Sequence, residues 1–220
     1  MTEKFLRARS TEQKDVRRQQ ILEAAQNVIR REGIEALTLA GIAAETGITK
    51  SAFYRYFKSK EEILAYILIS EAHRITDQLG AKVHSCNSLR QFAAVFAETC
   101  ARQTLFCTLA ADLARILERN IALDRLTDIK REFAKILREW TDLLLDASVT
   151  TDRVTAIEFV RSAYVTLSGL WPMTQERPVV QQAIRQAGLD GGFSDFEREY
   201  TRLLKIIANG LVCDQAASRV

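Results

Sequence analysis

The chain has 220 residues, 47% hydrophobic and 27% charged, a balance that is typical of a folded protein and excludes extended disorder. Nine glycines and two prolines leave few residues for tight turns, which disfavours β-sandwiches, β-barrels and glycine-rich nucleotide-binding folds. Residues 1–64 hold 12 Lys and Arg against 9 Asp and Glu, whereas residues 65–220 hold 19 of each. We therefore expect an all-α protein whose first third favours an anionic partner.

The sequence lacks the signals of membrane proteins, secreted proteins, metal-binding proteins and several classes of enzyme. The longest apolar run, Ile63 to Ile69, is far shorter than the ~20 residues that span a bilayer. The basic first twenty residues contain no apolar segment, so we expect no signal peptide, no membrane association and a cytoplasmic location. Four cysteines and two histidines show no metal-ligand spacing, and no GxSxG, HExxH, P-loop or GxGxxG motif occurs. We expect no metal, no cofactor and no enzymatic activity.

Helical periodicity starts near the N-terminus. A first helix is predicted from about Glu12 to Glu32, because its apolar residues recur on one face. Thr38 is placed to cap a short helix that ends before Gly47, and Thr49 to cap a second that runs to about Tyr56. A longer helix follows, opened by a capping box of Ser59 and Glu62 and predicted over residues 60–79.

The remaining chain reads as five or more helices. The clearest apolar stripe predicts a helix over residues 124–145, and Pro172 is expected to end the helix that begins at Asp152. Residues 174–193 contain a proline and three glycines and are expected to be irregular. The other predicted helices start at capping-box patterns or continue the periodicity: from Ser88, over residues 105–117, and from Ser194.

The stretch TLAGIAAETGITKSAFYRYF, residues 38–57, predicts a helix-turn-helix. Its two short helices bury too little surface alone, but Ile42, Ala43, Ile48 and Phe53 can form one small shared core. The second helix can then enter the DNA major groove. Its predicted exposed residues are Thr49, Lys50, Ser51, Ala52, Tyr54, Arg55 and Tyr56.

These side chains suit different parts of DNA. Lys50 is long enough to reach guanine O6 or N7, and Ala52 offers a methyl group to thymine. The hydroxyls of Tyr54 and Tyr56 suit phosphate oxygens. Lys60 lies in the first turn of the next helix, where backbone N–H groups favour phosphate.

Residues 21–67 resemble the N-terminal DNA-binding domain of TetR/AcrR-type transcriptional regulators. The resemblance implies a three-helix DNA-binding domain, an all-helical C-terminal domain that binds a small molecule, and a homodimer on a palindromic operator of double-stranded DNA. The segment Leu39-Ala40-Gly41 departs from many members, which have a polar or basic DNA contact there. The matching residues are Ile21, Ala24, Ala25, Gly33, Thr38, Ile42, Ala43, Gly47, Tyr54, Phe57, Lys60 and Leu64.

The resemblance also implies the site and the domain limits. Lys50, Ser51, Ala52 and Arg55 match positions that face bases, and Tyr54, Tyr56 and Lys60 match positions on phosphate; Thr38 and Thr49 complete the predicted DNA-contact set. We predict a basic arm over residues 1–14, the DNA-binding domain over 15–75, and a ligand-binding and dimerisation domain over 76–220.

A ligand pocket needs mostly apolar walls with a few polar groups. Simple core packing is the alternative for each candidate residue. The residues that fit are Phe92, Phe96, Thr99, Gln103, Phe106, Phe133, Trp140 and Tyr164.

The helix over residues 152–171 is apolar on more than one side, so one side can face its own domain and the other a twin subunit. A buried helix of a monomer is the alternative. The predicted interface combines this helix with the last one: Phe159, Ala163, Leu167, Leu170, Tyr200, Leu204, Ile207 and Leu211.

We expect a repressor that a small, largely apolar effector releases from its operator. The alternative is a DNA-bound interaction protein whose C-terminal domain binds a protein partner.

Overall fold

The computed structural model describes residues 2–113, 117–175, 178–189 and 195–217; the side chains of residues 2–12, 50, 117–118 and 214–217 are outside this description. The described residues form helices and no strand, as the sequence predicts. They divide into two compact units, Met1–Ile67 with Ile116–Thr127, and Leu68–Arg115 with Asp128–Val220. None of the described helices is both long and apolar enough to cross a bilayer.

The first unit holds the predicted DNA-binding helices. Its core is formed by fully buried apolar side chains, among them Ile21, Leu37, Ile42 and Phe57. Its elements are α1 (Thr2–Glu32), a 3-10 helix (Ile34–Ala36), α2 (Leu39–Thr46), α3 (Lys50–Phe53), the start of α4 (Lys60–Val83), a second 3-10 helix (Leu117–Asn120) and the start of α7 (Leu123–Asp146).

The second unit is a helical bundle. In it α10 packs against α5 and α8, and α6 packs against α8. Beside the remainders of α4 and α7, it comprises α5 (Leu89–Ala101), α6 (Thr104–Leu113), α8 (Arg153–Thr174), α9 (Pro178–Gln186) and α10 (Phe196–Ala217).

Side-chain caps open helices of the second unit, at Ser88 as predicted and also at Asp152. The hydroxyl of Ser88 accepts the Gln91 N–H at 3.3 Å, and an Asp152 carboxylate oxygen accepts the Thr155 N–H at 2.8 Å. The predicted cap at Ser194 lies outside the described residues. There the Asp195 carboxylate accepts the Arg198 N–H at 3.0 Å, at the start of α10.

Two predictions about the segment between residues 152 and 193 are wrong. Pro172 does not end α8, which continues to Thr174. Proline cannot donate to the carbonyl four residues back and its ring crowds that carbonyl, but its fixed φ is helical, so α8 continues for only two residues beyond it. Residues 178–186 form α9 instead of an irregular segment, and α9 begins at Pro178, the position where proline is favoured.

Burial of two thiols in the second unit makes its stability sensitive to alkali. Burial raises the pKa of Cys107 to about 12 and that of Cys100 well above its usual 9.0. Above pH 9.0 the unfolded chain loses thiol protons that the folded chain keeps. The contribution of these two thiols to the free energy of unfolding is therefore full below pH 9.0 and decreases as the pH rises towards about 12.

We therefore expect the urea midpoint to decrease as pH rises through this window, and to decrease less steeply in Cys107→Ala. The matched control is Cys213→Ala, since Cys213 is exposed and its replacement should leave the wild-type slope. Equal slopes for wild type and Cys107→Ala would show that burial of Cys107 is not responsible.

Candidate nucleic-acid interface

The turn between α2 and α3 is set by two local features. The Thr38 hydroxyl accepts the Gly41 N–H at 3.0 Å and caps α2. Gly47 ends α2 with φ 65°, in the left-handed region that a side chain with a Cβ rarely adopts. No neighbouring atom lies within 4 Å of a Cβ added at Gly47, so glycine is required for the backbone angle and not for space.

Helix α3 presents one face to the core and the other outward. Phe53 is only 1% exposed, as predicted, and its ring centroid lies 6.3 Å from that of Phe57. The helix is shorter than predicted: it ends at Phe53, and Arg55 and Tyr56 continue as turns that bond to Ala52 and Phe53. Four residues make barely one turn, so the buried Phe53 anchors α3 in place of helix length.

The predicted DNA-contact residues differ in exposure. The Thr49 and Ser51 hydroxyls share a hydrogen bond of 3.2 Å, and Thr49 also accepts the Ala52 N–H. The side chain of Lys50 is outside the description. Five of the others are exposed, namely Thr38, Thr49, Ser51, Tyr54 and Arg55. The remaining three are half-buried, namely Ala52, Tyr56 and Lys60.

The N-terminus of α4 is fixed by a carboxylate bridge. The Ser59 hydroxyl accepts the Glu62 N–H at 3.1 Å, and the Glu62 carboxylate accepts the backbone N–H of Lys58 at 2.8 Å. In a standard capping box the Glu62 carboxylate would accept the backbone N–H of the cap residue, Ser59. Here it accepts the N–H of Lys58, one residue earlier in the chain. It fixes the chain that joins Tyr56 to Lys60, where phosphate contacts are predicted.

A second set of cations lies beside this junction, and of these only Arg55 belongs to the site that the sequence predicts. Arg125 of α7 places its Nε 3.6 Å from the buried Glu62 carboxylate, and Asn120 contacts Glu61 at 3.5 Å. No local sequence signal links residues some sixty positions apart. We call the cavity here the basic recess; its lining is Lys14, Asp15, Arg18, Arg55, Tyr56, Lys58 and Arg125.

In the second unit, the residues predicted to line a pocket form a packed aromatic cluster. Trp140 lies 5.3 Å from Phe96 and 6.2 Å from Phe106 between ring centroids, and Trp140 donates to the Thr76 hydroxyl at 2.8 Å. The Thr99 hydroxyl donates to the Val95 carbonyl of its own helix. Phe92, Phe96, Thr99, Phe106, Phe133 and Trp140 are buried, whereas Gln103 and Tyr164 are half-buried.

Most of the residues predicted at a subunit interface face their own protomer. The Tyr200 hydroxyl donates to the Ala163 carbonyl at 2.8 Å, which ties α10 to α8. Phe159, Ala163, Leu167, Leu170, Tyr200 and Leu204 are buried, and Ile207 and Leu211 are half-buried. The six buried side chains therefore cannot contact a second subunit. The large apolar side chains that α8 and α10 do expose are Val154, Ile157, Val165, Met173, Ile206 and Val212.

Two family profiles match this chain. Residues 21–67 match that of bacterial regulatory proteins of the tetR family, and residues 70–215 match that of the tetracyclin repressor-like C-terminal domain. The first match coincides with the segment in which the sequence resemblance was found.

Individual relatives are similar over different lengths. An uncharacterized HTH-type transcriptional regulator, YfiR of Bacillus subtilis (strain 168), is 40% identical over 57 residues, which cover 26% of this chain and only 28% of YfiR. The nucleoid occlusion factor SlmA of Shewanella pealeana is 30% identical over 169 residues, covering 67% of this chain and 85% of SlmA.

The fold is shared with a possible TetR family transcriptional regulator from Streptomyces coelicolor A3(2). The two structures superpose with a TM-score of 0.61 over 89% of this chain and 98% of the other. At 17% sequence identity this likeness concerns the fold alone.

Proposed function

Because the chain belongs to the TetR family of transcriptional regulators, which is not a family of enzymes, we propose that it is a repressor that binds a palindromic operator as a homodimer. The observation that carries the proposal is the anchoring of α3, whose Phe53 is buried while Ser51 of the helix and Tyr54 and Arg55 of the following turn are exposed. This arrangement leaves one face of a firmly anchored helix available for the major groove.

Within the site, Lys50, Ser51, Ala52 and Arg55 face bases and specify sequence. Tyr54, Tyr56 and Lys60 contact phosphates and position the unit, and Thr38 and Thr49 are further DNA contacts. The bridge from Glu62 to Lys58 supports this division, because it fixes the backbone just before Lys60. Residues 15–75 act as the DNA-binding domain, residues 1–14 as a basic arm, and residues 76–220 as the dimerisation and effector domain.

This division predicts different results for two kinds of substitution. Lys50→Ala should relax base preference at one position per half-site and cost about 1–3 kcal/mol there. Lys60→Ala and Tyr54→Phe should weaken all duplexes equally, because phosphates carry no sequence information. Binding to a library of duplexes that differ at single positions measures both effects.

The opposite pattern would reverse the two roles. If Lys60→Ala alters base preference while Lys50→Ala weakens every duplex equally, then Lys50 positions the protein and Lys60 reads bases. Arg138→Ala is a matched control, since this exposed cation of α7 lies outside the predicted site.

We further propose that a small, largely apolar effector binds among residues 90–171 and lowers DNA affinity. Helix α4 supports this coupling, because residues up to Ile67 belong to the first unit and those from Leu68 to the second. Two recognition helices must stay about 34–36 Å apart to occupy successive major grooves. A small shift of α4 would misplace one of them, provided that the effector prefers the displaced state.

An effector should change tryptophan fluorescence and operator affinity together. Trp140 and Trp171 are buried, and Trp171 donates to the Thr108 hydroxyl at 3.1 Å, so a molecule that displaces the side chains around either indole changes its fluorescence. We expect a coupling of about 1–3 kcal/mol between effector and operator. Titration of fluorescence and of operator affinity with the same compound tests this; quenching that leaves operator affinity unchanged would contradict it.

A protein partner is the second candidate for the C-terminal domain. Similarity to SlmA, a nucleoid occlusion factor, over 67% of the chain favours it, and so does the close packing of Phe96, Phe106 and Trp140, which an effector would have to displace. A screen of apolar compounds against the purified chain distinguishes the candidates. Compounds that release the operator support the repressor; a partner that binds the operator-bound chain, with no active compound, supports the interaction protein.

A further inference from the structure

The basic recess carries an excess of positive charge. Five of its lining side chains are cationic and only Asp15 is acidic, which leaves a formal charge of +4 around a volume of about 550 Å³. Among the side chains that the structure describes, Arg125 alone of the five forms an ion pair, with Glu62. Like charges that converge on one cavity repel one another, and an anion that enters the cavity relieves this repulsion.

Arg18 is held rigidly at the recess. Its guanidinium carbon lies 3.9 Å from the centroid of the Tyr66 ring and 5.1 Å from that of Phe57, distances at which aromatic rings attract a cation. Its Nη2 is buried and has no acceptor among the described atoms. No carboxylate of the described residues offsets the charge of Arg18 there, so an anionic oxygen in the recess would be attracted to its guanidinium.

Arg125 is also arranged to bind an anion. Its Nε faces Glu62 at 3.6 Å, and the structure gives its two terminal nitrogens no hydrogen bond to any described residue. A guanidinium with two free terminal nitrogens can bind phosphate in bidentate fashion. At 31% side-chain exposure, Arg125 is reachable from solvent while Glu62 fixes its orientation.

We propose that the basic recess binds phosphate groups, supplied either by the DNA backbone or by a soluble polyphosphate. Its volume lies in the range of small-molecule sites, about 300–1,000 Å³, so it exceeds the needs of a single phosphate. Arg55 and Tyr56 belong both to the recess and to the predicted DNA contacts. A soluble polyphosphate would therefore compete with DNA for the first unit itself, away from the C-terminal domain.

Two measurements on the full chain test the proposal and separate the two sources. The first is calorimetric titration with sodium triphosphate at constant ionic strength. The second is the dependence of duplex affinity on salt concentration. This second measurement rests on the proposed function, since it requires that the chain binds DNA. The variants are Arg125→Gln and Lys14→Gln, since Lys14 is exposed and its substitution should not affect folding; the control is Arg138→Gln, which removes an exposed cation of α7 outside the recess.

If a soluble polyphosphate is the ligand, triphosphate binds wild type and Arg138→Gln equally, and Arg125→Gln and Lys14→Gln about tenfold more weakly. If the DNA backbone is the source, the two recess variants reduce the salt slope by about 0.9 for each lost phosphate contact. The proposal is overturned if neither measurement separates the recess variants from Arg138→Gln. A wild-type salt slope near zero would contradict the proposed DNA binding. The triphosphate titration would then still show whether the recess binds phosphate.

Discussion

Operator affinity should fall by roughly a thousandfold or more when salt is raised from about 50 to 200 mM. The proposed function places Lys60, Tyr54 and Tyr56 of each subunit on phosphates, with the cations Arg55 and Lys58 beside them. Two subunits double these contacts, and every neutralised phosphate releases condensed counterions whose entropy favours binding less as salt rises. Fluorescence anisotropy of a labelled operator across a salt series gives the slope.

Lys60→Gln should reduce this slope by about 0.9 for each phosphate contact that it removes, and thus by about twice that in a dimer. Arg161→Gln is a charge-matched control, because Arg161 lies on α8 in the second unit, paired with Glu158. An affinity for the operator that stays constant across the salt series would exclude binding through the phosphate backbone.

Phe53→Ala should abolish operator binding through loss of structure. Phe53 is 1% exposed and anchors a helix of only four residues, so its truncation removes buried contacts and leaves a cavity that costs about 3–5 kcal/mol. Urea denaturation followed by circular dichroism measures the stability, and an operator titration measures the binding.

Val16→Ala is the control for this substitution, because Val16 lies on α1 and is 55% exposed. It should change the unfolding free energy by less than about 0.5 kcal/mol. Operator binding by Phe53→Ala at the wild-type level would show that α3 does not depend on its buried anchor.

Short-range features of the first unit are predictable from sequence. The cap at Thr38, the left-handed Gly47 and the inward Phe53 each depend on residues within a few positions, and the structure has all three. The end of α3 at Phe53 is not predictable in this way. The N–H groups of Arg55 and Tyr56, which follow α3, bond to carbonyls three positions back. Local propensity does not distinguish such turns from a helix.

The two apolar sides of α8 show where periodicity is insufficient. The pattern predicts that both sides are covered, but it does not say which side faces the same protomer. The structure buries Phe159 and Ala163 within the protomer and exposes Val154 and Val165. The prediction assigned the side with Phe159 and Ala163 to the partner subunit. It could not distinguish the two sides, because their apolar residues are chemically alike.

Long-range contacts account for the remaining differences. Arg125 lies beside Glu62 although no repeat or motif connects them, so only the folded chain shows that it lines the basic recess. The aromatic residues predicted for a pocket have the composition of a core, and composition does not separate a cavity from a cluster such as Phe96 with Trp140. Such distinctions depend on packing and not on residue type.

Sequence-specific DNA recognition by α3 is tested most directly by recovering fragments of genomic DNA on the 220-residue chain and sequencing them. We predict enrichment of a two-fold symmetric site whose half-sites lie about 10–10.5 base pairs apart, or a multiple of this, and a changed base preference in the Lys50→Ala variant. Recovered fragments with the composition of bulk genomic DNA, or an identical site for wild type and Lys50→Ala, would contradict recognition through this helix.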